Sequence, residues 1–219
     1  MKRVLEPELM DNERQSVAYA QADFSASNQL FVDSLIRDFP GHLRTAVDIG
    51  CGPGDVVIRL ARAVPDLHLT AIDGSAPMIA LARRAVQAAG LDTRVTVMQG
   101  YVPGVSLEDH GYDAILSKDL LHHLPDPSVL WKEIARIGRP GAAVYVMDLV
   151  RPSTSEDARR IVETVAARGD PILREDFYNS LCAAFTIDEL RAQLVAAGLN
   201  LEVARVSDRH MLIKGVTSP

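Results

Sequence analysis

Residues 47–54 read Val47-Asp48-Ile49-Gly50-Cys51-Gly52-Pro53-Gly54. An apolar strand ends here, three alternate glycines follow, and the run DVVIRLARA then opens with helical spacing of its apolar residues. Glycine removes side chains where a chain must turn tightly or touch a ligand with its backbone. The helix start beyond it offers N–H groups that no turn of helix satisfies. Strand, glycine loop and helix make the first half of a βαβ unit. Working outward, strand-like and helix-like segments alternate from about residue 43, the rhythm of a mostly parallel sheet covered by helices on both faces. Strands are expected at 45–49, 67–72, 95–99, 112–117, 142–149, 201–206 and 210–214. Only Ser207, Asp208 and Arg209 separate the last two, so they form a hairpin and the final strand runs antiparallel to its neighbour. Ser75 with Pro77 starts one helix that Gly90 ends, and Thr186 with Glu189 makes a capping-box pair before a run that stops at Gly198. Residues 13–39 read as one or two helices, and a second helical stretch, 154–183, interrupts the βαβ rhythm.

The 219 residues suffice for one good-sized core, and no Ser/Gly/Pro-rich linker divides them. A formal net charge of -6 argues against nucleic acid as the partner, because that binding draws on a positive face. The start, MKRVLEPELMDNE, lacks the apolar run of a signal peptide, and no stretch is apolar enough to span a bilayer. Cys51 and Cys182 do not resemble a disulfide framework, so a cytoplasmic protein is expected.

Two ligand classes compete for the glycine loop. Dinucleotide enzymes use G-x-G-x-x-G, and here the third glycine position holds Asp55. The glycines instead follow G-x-G-x-G, with Asp48 two residues before the first. A carboxylate there would repel a pyrophosphate but can anchor a cation. S-adenosylmethionine carries an ammonium and a sulfonium and no phosphate, so the charge logic favours it over NAD. Asp73, at the tip of the second strand, can accept both hydroxyls of a ribose. Met78, one turn into the next helix, can either lay its thioether on an adenine or fill core.

The chain resembles the class I S-adenosylmethionine-dependent methyltransferases, of the small-molecule kind, over residues 43–214. VDIGCGPG is similar to the family's glycine-rich first motif and AIDGS to its acidic second. VTVMQGY matches the third, DAILSKDLLHHLPDP the fourth, and PGAAVYVMDLVRP the fifth strand with its following loop. The resemblance implies a single Rossmann-like domain with strand order 3-2-1-4-5-7-6. Residues 1–42 would be a helical lid, 43–150 the cofactor core, 151–185 a substrate cap, and 186–219 the final helix and hairpin. It implies a cofactor site made by Tyr19, Asp48, Gly50, Cys51, Gly52, Gly54, Asp73, Gly74, Met78, Gln99, Gly100, Tyr101, Ser117 and Lys118. Tyr101 departs from the family, in which an Asp at this position often bonds the adenine amino group.

On the substrate side, a helix over SKDLLHHLPD would place Asp119, His122 and His123 on one face. His122 is then the candidate general base, supported by Asp119, with His123 toward substrate. Two His and one Asp can also bind zinc, but no further Cys or His cluster accompanies them, and no metal is expected. Arg151 can pair with an anionic group on the acceptor. Aromatic residues of two lid-like segments, Phe24 in the first and Phe177 and Tyr178 with Asn179 in the second, are expected to cover a small organic ligand. Alternatives remain: a protein or tRNA methyltransferase using a basic stripe from Arg136 and Arg139 or from Arg159, Arg160 and Arg168; a non-catalytic cofactor-binding module; and a nicotinamide oxidoreductase.

Overall fold

The computed structural model describes residues 1–6, 10–41, 43–167 and 169–218. Arg168, one of the candidate stripe residues, lies outside them. Helices α1 (Glu13–Gln21) and α2 (Ser25–Asp38) lead into β1 (Thr45–Ile49), α3 (Asp55–Ala63), β2 (His68–Asp73), α4 (Ala76–Ala88), β3 (Val95–Gln99) and β4 (Tyr112–Lys118). A single 3-10 turn, Leu121–His123, precedes α5 (Ser128–Ile137) and β5 (Gly138–Leu149). The inserted pair α6 (Ser155–Val165) and α7 (Pro171–Ala183) is followed by α8 (Ile187–Ala196), β6 (Glu202–Arg205) and β7 (His210–Val216). The strands form one sheet in the order β3-β2-β1-β4-β5-β7-β6, parallel except for β7, which runs antiparallel to β5 and β6. This is the expected Rossmann-like order.

Alternation along the strands divides the core. Ala46, Leu116 and Tyr145 face a layer with Phe31, Leu35 and Leu60, whereas Val47, Ile115 and Val144 face Trp131, Ile134 and Leu190. Both faces of the central strands are apolar, as a parallel sheet with helices on each side requires. Local signals set the helix ends. The Ser75 hydroxyl accepts from the Met78 N–H at 3.3 Å, and Thr186 and Glu189 form the full capping box. β5 begins four residues before the expected 142, because Gly138 still pairs with Tyr112 across a bulge although RPG reads as a turn.

The N-terminal region is not one lid. Phe31, Val32 and Leu35 of α2 are completely buried in the main core, so α2 belongs to the folded body. The mobile-lid expectation narrows to α1 and the strap before it. Residues 1–6 are an extended strap: the Val4 N–H donates to the Cys182 carbonyl, and the Arg3 guanidinium donates to the carbonyls of Ala183, His122 and Leu124 while lying 3.9 Å from the Phe185 ring centroid.

If α2 is core, Phe31→Ala lowers unfolding stability by about 3–5 kcal/mol, the usual cost of emptying a buried aromatic site. Urea unfolding measures it. A detachable α2 would lose under about 1 kcal/mol, as exposed substitutions do.

Candidate active site

The C-terminal ends of β1, β2 and β4 open on a crevice, as expected at a point where strand order reverses. The loop after β1 is held tightly: the N–H groups of Gly50 and Cys51 both donate to the Ile72 carbonyl at 2.8 Å. Gly52 sits at φ +52, and a Cβ there would meet no protein atom within 4 Å. Its bare face therefore looks into open space, the place for a ligand. Gly54, at φ +90, differs, because a Cβ on it would lie 3.4 Å from Ala82, so this glycine lets α3 approach α4.

A cavity of about 250 Å³ lies between this loop, the start of α2 and the end of β4. Tyr19, Phe24, Asp48, Gly50, Cys51, Gly52, Lys118 and Asp119 line it, so eight of the expected residues meet there. The rings of Tyr19 and Phe24 lie 4.8 Å apart at its wall. Asn28, not foreseen, also lines it and donates to Asp55 at 2.8 Å.

Charge is what distinguishes the cavity. Asp48 is 2% exposed, and its Oδ1 has no hydrogen-bond donor. Burial first, and then the Asp73 carboxylate, push the Asp48 pKa up to about 7, against the pull of Lys118. Asp119 forms an ion pair with Lys118, yet its Oδ1 also lacks a donor. Burial raises the Asp119 pKa, but Lys118 prevails and holds it below the usual value. Two buried carboxylate oxygens without donors thus sit in the wall of one cavity. Burial, helped by Asp119 and Asp73, raises the Tyr19 pKa and keeps its phenol protonated.

Beside the cavity runs a ledge made by the tips of β2 and β3. Asp73 accepts from the N–H groups of Gly52 and Ser75, each at 2.8 Å. Burial raises its pKa, and these two N–H groups offset part of the rise. Each of its oxygens keeps a second lone pair for a diol. Gln99 donates to the Gly74 carbonyl at 2.9 Å, and the Tyr101 ring covers Gly74, where a Cβ would come within 2.7 Å of Cε1. Gly100 leaves the room that the Val105 side chain fills. Tyr101 is half exposed and flat on the ledge, an aromatic surface where the family often has an Asp.

Residues 46–141 match the model of a methyltransferase domain. The chain is 33% identical to the demethylmenaquinone methyltransferase of Bacillus cytotoxicus over 49% of this chain and 46% of that protein. It is 28% identical to the 27-O-demethylrifamycin SV methyltransferase of Amycolatopsis mediterranei over 72% of this chain and 54% of that protein. Among solved structures, a SAM-dependent methyltransferase from Aquifex aeolicus superposes with a TM-score of 0.67 at 20% identity, over 92% of this chain and 97% of the other. The matched domain, the relatives and the shared fold support a class I S-adenosylmethionine-dependent methyltransferase. The chain spans about half the length of the curated relatives it matches.

The cofactor of this methyltransferase family fits the residues present. The donorless oxygen of Asp48 suits an ammonium, and the spare lone pairs of Asp73 suit a ribose. Other expected contacts are corrected. Ser117 is completely buried and spends its hydroxyl on the Ile49 carbonyl at 2.8 Å, tying β4 to β1. Met78 is 3% exposed and fills the interior beneath α4, the core alternative of its two readings.

The substrate side is rearranged more. Asp119 and His122 share no helical face, because Asp119 adopts φ +57 before the 3-10 turn starts. The carboxylate that holds His122 is Asp148, 2.8 Å from Nδ1, while Nε2 faces Glu6 at 3.9 Å. His122 is 2% exposed, and neither it nor His123 lines the cavity, so the general-base assignment is replaced by an internal cluster. Arg151 is also engaged within the chain, donating to Glu189 at 2.6 Å and to the Ala184 carbonyl at 3.0 Å, and does not line the cavity. Phe177 packs on the cluster of Leu149, Val162 and Leu181, and Tyr178 turns toward Arg159 of α6. These two and the part-buried Asn179 do not line the cavity.

Asp148 was missed, although a signal existed. It is the lone acid in the apolar run AAVYVMDLV, and a charge in a strand buried on both faces needs partners. It finds His122 and the N–H groups of Leu121 and Leu149.

Two substitutions test the cofactor site. Asp48→Asn is expected to weaken S-adenosylmethionine binding about 10–100-fold at pH 8, the worth of a hydrogen bond to a charged group, without loss of thermal stability. Gly52→Val is expected to abolish binding in a protein that still folds, since its side chain enters the cavity. Titration calorimetry with thermal unfolding reads both; wild-type affinity in either variant contradicts the site.

Proposed function

We propose that the chain transfers the methyl group of S-adenosylmethionine to a small organic acceptor and releases S-adenosylhomocysteine. The observation that carries this reading is the pair of donorless carboxylate oxygens, on Asp48 and Asp119, in the wall of one small cavity. The names of two relatives, a demethylmenaquinone and a 27-O-demethylrifamycin SV methyltransferase, support a small acceptor.

When bound, S-adenosylmethionine supplies a methyl group already activated on a sulfonium. The protein then has to hold the two reactants in line and exclude water. Asp48 holds the ammonium end, and Asp73 with the Tyr101 ledge holds the adenosine end. The Tyr19 and Phe24 rings form the apolar side of the cavity against which an acceptor lies. Helix α1 acts as the cover. Its approach is fixed at both sides: the Ser75 hydroxyl donates to the Met10 carbonyl at 2.9 Å, and Gln15 donates to Asp176 of α7 at 2.8 Å.

Acceptors of nucleic acid or acidic protein are disfavoured by the state of the candidate basic stripes. Arg136 pairs with Glu133 and Asp109, Arg139 with Asp113, and Arg160 with Asp157. Among the described residues no helix is long and apolar enough to cross a membrane.

The test is turnover. The protein is incubated with S-adenosylmethionine and a panel of quinols, phenols and hydroxylated macrolides, and S-adenosylhomocysteine is quantified. Product that depends on one of these acceptors, at least tenfold over the acceptor-free rate, is expected. Tight cofactor binding without product across the panel contradicts the reading in favour of a binding module, and product with bulk tRNA or protein alone contradicts the small acceptor.

A further inference from the structure

The cluster that removes His122 from the cavity has the composition of a metal site. Glu6 Oε2 lies 3.3 Å from His123 Nδ1 and 3.9 Å from His122 Nε2, and one ligand atom from each of the three residues falls within 4.8 Å of the others. Two donors each bound at 2.0–2.1 Å to a tetrahedral ion stand about 3.4 Å apart. The two Glu6 distances lie close to that value, and the widest pair, within 4.8 Å, has to draw in by up to about 1.4 Å to hold such an ion.

The surroundings point the same way. Metal-binding imidazoles usually give their second nitrogen to a carboxylate, which fixes the tautomer and aims the other nitrogen at the ion. Asp148 does this for His122, at 2.8 Å from Nδ1. It is itself fixed by the N–H groups of Leu121 and Leu149, each at 2.7 Å. Glu6 is oriented as well, accepting from the Ser180 hydroxyl of α7 at 3.0 Å. The Glu6 and His122 side chains are 4% and 3% exposed, so both sit where a carboxylate and an imidazole need a firm partner.

We propose that Glu6, His122 and His123 bind one divalent cation of the zinc class, with a solvent molecule as fourth ligand. Neutral imidazole and carboxylate donors in a three-residue set are ligands for such an ion. The site would join three parts of the chain: the N-terminal strap that carries Glu6, the turn after β4, and, through Ser180, the inserted helix α7. His122 and His123 follow closely on Lys118 and Asp119, which line the cavity. The bound ion would thus anchor the strap that leads into the covering helix α1. The proposal does not depend on the methyl acceptor or on turnover.

The test uses untagged, chelator-treated protein titrated with zinc chloride by calorimetry, with cobalt(II) absorption as an independent report on coordination. One equivalent of zinc is expected, with a rise in Tm that EDTA reverses. Glu6→Gln and His123→Gln, chosen to keep side-chain size, are each expected to weaken binding at least tenfold and to lose the Tm rise. Loss of a mere supporting residue already costs about 10–100-fold. The wild-type titration and its Tm response stand even if a variant folds poorly. Absence of stoichiometric zinc binding by the wild-type protein overturns the proposal. So does binding that both substitutions leave unchanged, which would place the ion at other histidines.

Discussion

Asp48 is a carboxylate at the end of the central strand, 2% exposed, with one oxygen that no donor reaches. Its displacement from an ordinary value of 3.8 to about 7 corresponds to roughly 4 kcal/mol of disfavoured ionisation. A fold keeps such a group only if stronger interactions hold its neighbours in place. Here they do: β1 is paired on both edges, by β2 and by β4, and the loop beyond it is fastened by two N–H groups on one carbonyl. The carboxyl is in this sense held in place before a ligand arrives, and a cationic ligand would offset the cost of ionising it.

The same sheet arranges the rest. β2, one strand over, delivers Asp73, whose oxygens are aimed by the N–H groups of Gly52 and Ser75. β4, on the other side, delivers Lys118 and Asp119. The Lys118 ammonium keeps Asp119 ionised while leaving its Oδ1 without a donor. α2 locks into the core through Phe31 and Leu35 and so gives Phe24 and Asn28 fixed positions at the cavity wall. The charged part of the site stands on rigid strand ends, and the part that must admit an acceptor, α1 and its strap, rests on a few polar contacts.

Local features were legible in the sequence. The G-x-G-x-G loop, the Ser75 and Thr186 caps and the acids Asp48 and Asp73 of the first two strands are decided by residues next to one another, so reading them in order recovers the sheet. What was not legible depends on elements far apart in sequence. The partner of His122 is Asp148, 26 residues on and a strand away, whereas helical spacing pointed to Asp119. Asp119 itself adopts a left-handed backbone conformation that ends the expected helix. Tyr178 and Phe177 have the composition of a lid, but their direction is set by α6, whose packing no pattern within α7 reveals. For α2, an apolar stripe reads the same on a lid as on a core helix.

Below about pH 7 Asp48 holds a proton in the free protein, and a cationic ligand would displace it. The folded pKa lies above the unfolded one, so between about pH 4 and pH 7 the free folded protein binds a proton that the unfolded chain lacks, and stability falls as pH rises through that window. A cationic ligand needs the ionised form, so its binding must expel the proton below about pH 7. Calorimetric titration of S-adenosylmethionine at pH 6.5 in two buffers of different ionisation enthalpy counts that proton directly. Net release of a substantial fraction of one proton is expected, vanishing by pH 8.5 and absent at both pH values in Asp48→Asn. Equal binding enthalpies in the two buffers at pH 6.5 would contradict it.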